Sequence, residues 1–595
     1  METIGPRALP KTFVLCFDGT GNKFSGDESD SNVLKIFRML DRSRGHQFHY
    51  YQPGIGTYVT STSLSSTSTF SRIKSAYLKA KDSAVGSSFD QHVMGGYKFL
   101  MRYYNHGDDI YFFGFSRGAY IARFLAEMLD YIGLLEAGNE ELIRFAWKTF
   151  AKWQRRPGDT EGDLEEKKRL FKYMKAFRET FSRPISQIKF MGLFDTVNSV
   201  PKFESAWMQR SKFPYTARSS AKVIRHAVGI DERRAKFRQD LISEIGPAHH
   251  HHLHCGSGKA GTIPKILVNE PTSKDESKEG DRSAEVDFSS DEGRYRPPST
   301  QPWNRNLSLA VPGRTASMED SVSRMSQASV QVPSIVAAIE NHEREQDIQE
   351  AWFPGGHADI GGGWKLEKGE DWPLSHAPLV WIVQEAQSAG LDFDEKKLKQ
   401  FECCEEYAGN FSPIRERVQV DMWSPFQNPA AGSHSDGQNG QYNKGFGGDF
   451  PGSQKGQSAS SCNFNGALHY SSTQGILHDC LQYGEGLRWP SVLSWRVMEY
   501  LPFRRMDLQQ DGSWKPIRWP LPCGEVRDIP DEAQIHVSAI RRMKYNPNYR
   551  PGNLIIGGGG RGVRRAPKEY DSKKWEVHHH EGDSVRETYM RKTAE

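Results

Sequence analysis

Asp109-Ile110-Tyr111-Phe112-Phe113-Gly114-Phe115-Ser116-Arg117-Gly118 decides how this chain folds. Residues 110–113 are β-prone and apolar on both faces, as a strand in the middle of a sheet must be. Residues 119–130 then carry apolar side chains at helical spacing, so the chain has to pass from strand to helix through Ser116. Gly114 and Gly118 lack the β-carbons that would collide where strand and helix cross, which leaves the Ser116 hydroxyl exposed above the sheet edge. With 55 glycines in the chain, a Gly-x-Ser-x-Gly pentapeptide arises by chance roughly a few tenths of a time. The flanking strand and helix, more than the five residues, mark a nucleophile elbow. The alternative is a glycine-flanked turn carrying a solvated serine.

A serine hydroxyl is a poor nucleophile until an imidazole takes its proton, and a buried carboxylate must fix the imidazole tautomer and stabilise the imidazolium. Behind such an elbow the acid precedes the histidine in the chain. Residues 188–194 form a second apolar strand ending in Asp195-Thr196-Val197, which places a carboxylate at the tip of a core strand, and Asp195 is the expected acid. Ala351-Trp352-Phe353-Pro354-Gly355-Gly356-His357-Ala358-Asp359-Ile360-Gly361-Gly362-Gly363 leads from a short strand into a glycine-dense loop that carries His357 back over Ser116. His357 is the expected base. His226 and Asp231 form a competing pair near another strand end, and Asp359 lies close to His357. Asp359 reads better as a cap for amides of the 361–363 loop.

Acyl transfer also requires donors aimed at the developing oxyanion, one amide just after the nucleophile and one from the loop after an early strand. The first strand spans residues 12–17 and is followed by Asp18-Gly19-Thr20-Gly21-Asn22. Arg117 and either Gly19 or Thr20 are the expected oxyanion-hole donors. A strand followed by Asp-Gly-Thr-Gly-Asn also resembles an anion- or metal-binding turn. No Gly-Lys-Ser/Thr follows, so no nucleotide site is expected, and Asp18 reads as a brace for the loop.

The segments Phe17-Asp18-Gly19-Thr20-Gly21-Asn22, Gly114-Phe115-Ser116-Arg117-Gly118-Ala119, Phe194-Asp195-Thr196-Val197 and Trp352 through Gly363 together resemble a large family of uncharacterised α/β-hydrolase-like proteins. That family is related to the phospholipase effectors of bacterial type VI secretion. The motifs occur in the family's order and cover residues 10 to 390 apart from one insertion. The resemblance implies a Ser-Asp-His triad on Ser116, Asp195 and His357, with esterase or phospholipase chemistry in at least some members. The implied fold class is α/β: a mostly parallel, α/β-hydrolase-like sheet flanked by helices.

At 595 residues the chain exceeds one average core, so one large hydrolase domain with additions is expected. Residues 10–245 and 333–400 form its two parts, the second carrying the His357 loop. Between them, 246–332 is rich in Lys, Glu, Ser, Arg and Pro. It cannot bury enough apolar surface to offset its chain entropy and is expected to be disordered. Its histidines at 249–252, like those at 578–580, read as polar tract and not as metal ligands. A C-terminal cap region is expected over 401–555, with a Gly-rich loop near 428–461, and a disordered tail over 556–595. Tryptophans 489, 495, 514 and 519 either seat the enzyme on lipid or, by the favoured reading, fill the contact between cap and core.

Mean hydropathy is −0.67, no run approaches the length of a spanning helix, and the start lacks the apolar stretch of a secretory signal. The 7 cysteines show neither finger spacing nor a disulfide framework, which points to a reducing, cytoplasmic compartment. A net charge of +4 over 78 basic and 74 acidic residues leaves no basic stripe for nucleic acid. The leading expectation is a serine hydrolase acting on a small-molecule or lipid ester, without cofactor or metal, in peripheral contact with a membrane. The alternatives are a non-catalytic α/β-hydrolase-like scaffold and a metal-dependent phosphoesterase using Asp18 and Asp359.

Overall fold

The computed structural model describes residues 10–54 (except 23 and 44), 89–153, 161–197 (except 184), 221–242, 346–404, 464–500, 506–508, 514–516, 523–557, 564–570 and 574–592. The expected insertion at 246–332, the Gly-rich loop near 428–461 and Trp519 lie outside the described residues.

Nine strands make the central sheet: β1 Thr12–Phe17, β2 Gln47–Gln52, β3 Asp109–Phe115, β4 Phe190–Phe194, β5 Val223–Gly229, β6 Asp347–Phe353, β7 Gln534–His536, β8 Trp575–His579 and β9 Thr588–Arg591. Their order is β8-β9-β7-β6-β5-β4-β3-β1-β2, parallel from β2 through β7. β9 then pairs antiparallel with both β7 and β8. The helices used below are α1 Asn32–Met39, α2 Phe89–Tyr103, α3 Arg117–Ile132, α4 Ile143–Trp153, α5 His357–Gly361, α6 His376–Ser388, α7 Trp489–Met498 and α8 Val537–Tyr545.

The period-two alternation of the strands builds two cores. Phe13, Leu15, Phe17, Ile110 and Phe112 pack beneath α2, α3 and α4. Val14, Cys16, Tyr111 and Phe113 point the other way, onto α1 and α6. A parallel sheet covered on both faces has apolar strands with no polar side, which is why residues 110–113 read as continuously hydrophobic.

After β1 the chain crosses one face through α1 to reach β2, and after β3 it crosses the opposite face through α3 toward β4. The two connections diverge at the carboxyl ends of β1 and β3, the topological switch point of the sheet. Ser116 stands there, buried, with φ 59° and ψ −124°, a conformation that side-chain-bearing residues rarely adopt. Close packing imposes this turn. A β-carbon on Gly118 would lie 2.2 Å from the Phe17 carbonyl oxygen, and one on Gly114 would lie 2.5 Å from the Ala119 Cα. The loop after β1 is thereby pressed against the first turn of α3.

Two expectations for the C-terminal third need correction. The region assigned to a cap contributes β7, which pairs with Ala351 and Trp352 of β6 inside the main sheet. The supposed tail contributes β8 and β9. Both escape a periodicity search because these strands are three to five residues long. An edge hairpin also needs little apolar content, since the ladder to its neighbour holds it. Among the described residues no helix is long and apolar enough to cross a membrane.

Because the Phe17 carbonyl cannot retreat from a β-strand without breaking its ladder, Gly118→Ala should destabilise the domain by about 1–3 kcal/mol. Equilibrium urea unfolding measures this, and an unchanged midpoint would contradict the packing described for the elbow.

Candidate active site

Each of the three residues expected to form a triad is fixed by a different strand end. Ser116 follows β3, Asp195 follows β4, and His357 opens α5 just beyond β6. The parallel strands β3, β4 and β6 deliver them to one edge, and the side chains meet in line. His357 Nε2 lies 2.7 Å from Ser116 Oγ, and its Nδ1 lies 2.5 Å from Asp195 Oδ2. All three are buried. Asp195 shares the unusual backbone of the serine, with φ 41°.

Burial is the largest influence on the Asp195 carboxyl and would raise its pKa. The Arg527 guanidinium and the His357 hydrogen bond outweigh burial and hold it well below the usual carboxylate range. The Gly229 amide donates to Oδ1 at 2.9 Å. Burial is also the largest influence on His357 and lowers its pKa; Asp195 pulls it back up, Arg234 lowers it and Glu232 raises it. A neutral imidazole is the form able to accept a hydroxyl proton.

The His357 loop is held by two consecutive carboxylates beyond β5. Asp231 accepts the Gly355 amide at 2.7 Å and the Tyr549 hydroxyl at 2.7 Å. Glu232 accepts the His357 amide at 3.1 Å and is itself paired with Arg234 at 2.8 Å. The His357 ring lies between Phe115 and Phe237, with centroids 4.8 and 4.6 Å away. Phe237 in turn packs against Trp495 of α7, and the Arg234 guanidinium lies 3.8 Å over its ring.

The competing residues have other duties. His226 Nε2 accepts the Thr196 amide at 3.1 Å and its Nδ1 faces Glu350 at 2.8 Å, so it braces the strand end that carries Asp195. Asp359 does cap amides, but those of Gly356 and His478 and not those of the 361–363 loop; its other oxygen meets His478 Nδ1 at 2.7 Å. Asp18 takes hydrogen bonds from Gly19 N, Asn22 Nδ2, Ser31 Oγ and Tyr51 OH, a full set of protein donors for a buried carboxylate. One expected oxyanion donor is thereby spent: the Gly19 amide points at Asp18 Oδ1, 2.7 Å away. Arg117 begins α3, where a helix leaves its first amides without intrahelical acceptors. Thr20 lies in the loop pressed against that turn, and its hydroxyl is buried without a partner among the described residues.

Sequence reasoning missed Arg527, Glu232, Arg234 and Phe237. Glu232 and Arg234 had a signal, since Asp231-Glu232-Arg233-Arg234 follows an apolar strand just as Asp195 does. Arg527 had none: it lies 332 residues from the carboxylate it binds, in a stretch with no periodicity.

The chain is similar to several known proteins. Residues 11–385 match the family model described as T6SS, phospholipase effector Tle1-like, catalytic domain. The uncharacterized protein YEL023C of Saccharomyces cerevisiae is 29% identical over 575 residues, spanning 91% of this chain and 80% of that protein. A crystal structure of an uncharacterized Pseudomonas aeruginosa protein aligns at 16% identity and a TM-score of 0.28, over 66% of this chain and 49% of the other. The Tle1 effector, solved bound to the VgrG spike of the Type 6 secretion system, aligns at 16% identity and a TM-score of 0.18, over 40% of this chain and 48% of the other. The chain thus spans about half the length of each solved protein, and at these scores the structural likenesses carry no argument. The match over 11–385 covers most of the chain, including both parts of the sheet that meet at Ser116. This chain belongs to the family of Tle1-like phospholipase effector catalytic domains.

Proposed function

We propose that this protein is a serine hydrolase that cleaves carboxylic esters of lipids, with phospholipid acyl esters as its substrate class. The observation that carries the reading is the unbroken hydrogen-bonded line from Ser116 Oγ through His357 to Asp195 at the sheet's carboxyl edge. The family's phospholipase description supports the lipid substrate. Ser116 Oγ attacks the ester carbonyl carbon while His357 Nε2 takes the hydroxyl proton, and Asp195 stabilises the imidazolium that forms. The amides of Thr20 and Arg117 hold the oxyanion. Collapse of the tetrahedral intermediate breaks the bond to the leaving alcohol, which departs with the proton from His357. Water, activated by the same imidazole, then releases the acyl group and restores Ser116.

Membrane contact belongs to the same proposal and falls on α7. One side of this helix places Trp495 on Phe237, next to His357. On its other side Trp489, Leu493 and Val497 follow at four-residue spacing and are 68%, 45% and 55% exposed, with Tyr500 just beyond at 66%. Exposed Arg488 stands just before the helix start. An apolar stripe with a Trp and a basic residue at its end fits an anionic phospholipid surface, and it would bring that surface next to the serine.

Ser116→Ala should lower release of fatty acid from phospholipid vesicles by a factor on the order of 10⁴ while leaving the fold intact by circular dichroism. Retained turnover would remove Ser116 from the reaction. Since protonated His357 cannot accept the serine proton and burial lowers its pKa, turnover of a short p-nitrophenyl ester should fall only below the ordinary histidine range, roughly pH 6.5. An acid limb clearly above that range would mean that another group titrates. The double variant Trp489→Ser/Leu493→Ser should weaken sedimentation with anionic phospholipid vesicles roughly tenfold and leave the soluble ester unaffected. Equal losses on both substrates would assign those side chains to folding and not to lipid.

A further inference from the structure

The charge balance of the site is closed from outside the matched catalytic region. Arg527 lies far beyond residue 385, where the family match ends, yet its side chain is 1% exposed and grips Asp195 with both ends of the guanidinium. Nη1 donates to Oδ1 at 2.6 Å and Nη2 to Oδ2 at 2.8 Å. The same two nitrogens donate to the Gly229 and Phe237 carbonyls at 2.9 and 2.7 Å. Oδ2 is therefore shared between Arg527 Nη2 and His357 Nδ1. The guanidinium is aimed by its own backbone: Asn553 Nδ2 donates to the Arg527 carbonyl at 3.1 Å and to the Ile230 carbonyl at 3.0 Å, tying the segment to the end of β5.

From this geometry we propose that Arg527 is a positioning residue for the reaction: its fork fixes the plane of the Asp195 carboxylate toward His357 Nδ1 and offsets the charge that His357 feels. The inference rests on the serine-hydrolase reading above. A carboxylate held by one hydrogen bond can swing about its side-chain torsions, whereas one held at both oxygens by a planar fork has a single orientation. Besides Asp195, the charged groups facing His357 are Glu232 and Arg234, and these two are paired with each other. Without Arg527, the Asp195 charge would act more strongly on the imidazole, against burial and Arg234, and shift it toward the imidazolium. With Arg527, the imidazole stays neutral to lower pH and is ready to accept the Ser116 proton.

The test is the second-order rate of Ser116 phosphonylation by a fluorophosphonate, measured against pH on the full-length protein. This probe needs the same proton acceptor but no lipid. In Arg527→Met the acid limb should move up by about one pH unit, since a positive neighbour has been removed. The plateau rate should drop roughly 10²-fold from loss of orientation. Arg527→Lys keeps the charge without the fork, so its acid limb should stay near that of the wild type while its plateau still falls; this variant decides the question if the methionine variant does not fold. Wild-type limb and plateau in folded Arg527→Met, or a wild-type plateau in Arg527→Lys, would overturn the proposal. A wild-type protein that fails to react at all takes the serine-hydrolase reading down with it. A reactive wild type with indifferent variants removes Arg527 alone.

Discussion

A carboxylate cannot be taken out of water unless something replaces the water, and Asp195 has no exposed surface at all. What replaces it organises this part of the molecule. The Gly229 amide comes from the end of β5, the His357 imidazole from the start of α5, and the Arg527 guanidinium from the C-terminal region. Each partner brings its own scaffold. Asp231 and Glu232 follow Gly229 and hold the loop before His357. Arg527 brings with it the segment that continues into β7, the strand that extends the parallel sheet past β6. The C-terminal third is thus tied to the rest by this buried charge, by further ion pairs such as Arg238 with Glu525 and Arg233 with Asp479, by its strand pairing and by an apolar cluster shared with β5 and β6 around Trp352, Ile535 and Leu554.

The serine is placed by steric exclusion more than by attraction. The turn at Ser116 exists because the loop after β1 leaves no room for a β-carbon at Gly118, and the crossing at Ala119 leaves none at Gly114. A strained backbone of this kind persists only where its surroundings over-determine it. Here they do, through the Phe194 carbonyl that takes the Ser116 amide and the Tyr120 amide that binds the Ser116 carbonyl. Among the described residues, His357 is the side chain hydrogen-bonded to both the strained serine and the charge-balanced aspartate.

Elements that bury a continuous apolar run were legible in the sequence, and those held by pairing were not. β1 is found at residues 12–17 and β3 extends the expected strand by a residue or two at each end, because each places large side chains in two cores at once. Asp195 could be picked because it follows such a strand, and His357 because a short strand leads into its glycine-dense loop. By contrast β7, β8 and β9 owe their existence to hydrogen bonds with distant neighbours and leave little trace in composition. Gly19 shows another limit: glycine spacing indicates an amide free of steric cover, but not that a neighbouring buried carboxylate claims it first. Arg527 is the extreme case, since nothing within its own segment marks an arginine whose partner lies on another strand end.

The central claim is that Ser116 is a nucleophile activated by His357 and not a hydroxyl that merely satisfies it. Mass mapping of the full-length protein after exposure to a fluorophosphonate tests this most directly. The account predicts one phosphonyl adduct, on the peptide containing Ser116, absent from His357→Ala and present in folded His226→Ala. An unmodified Ser116 in folded wild-type protein, or an adduct that survives in His357→Ala, would contradict it.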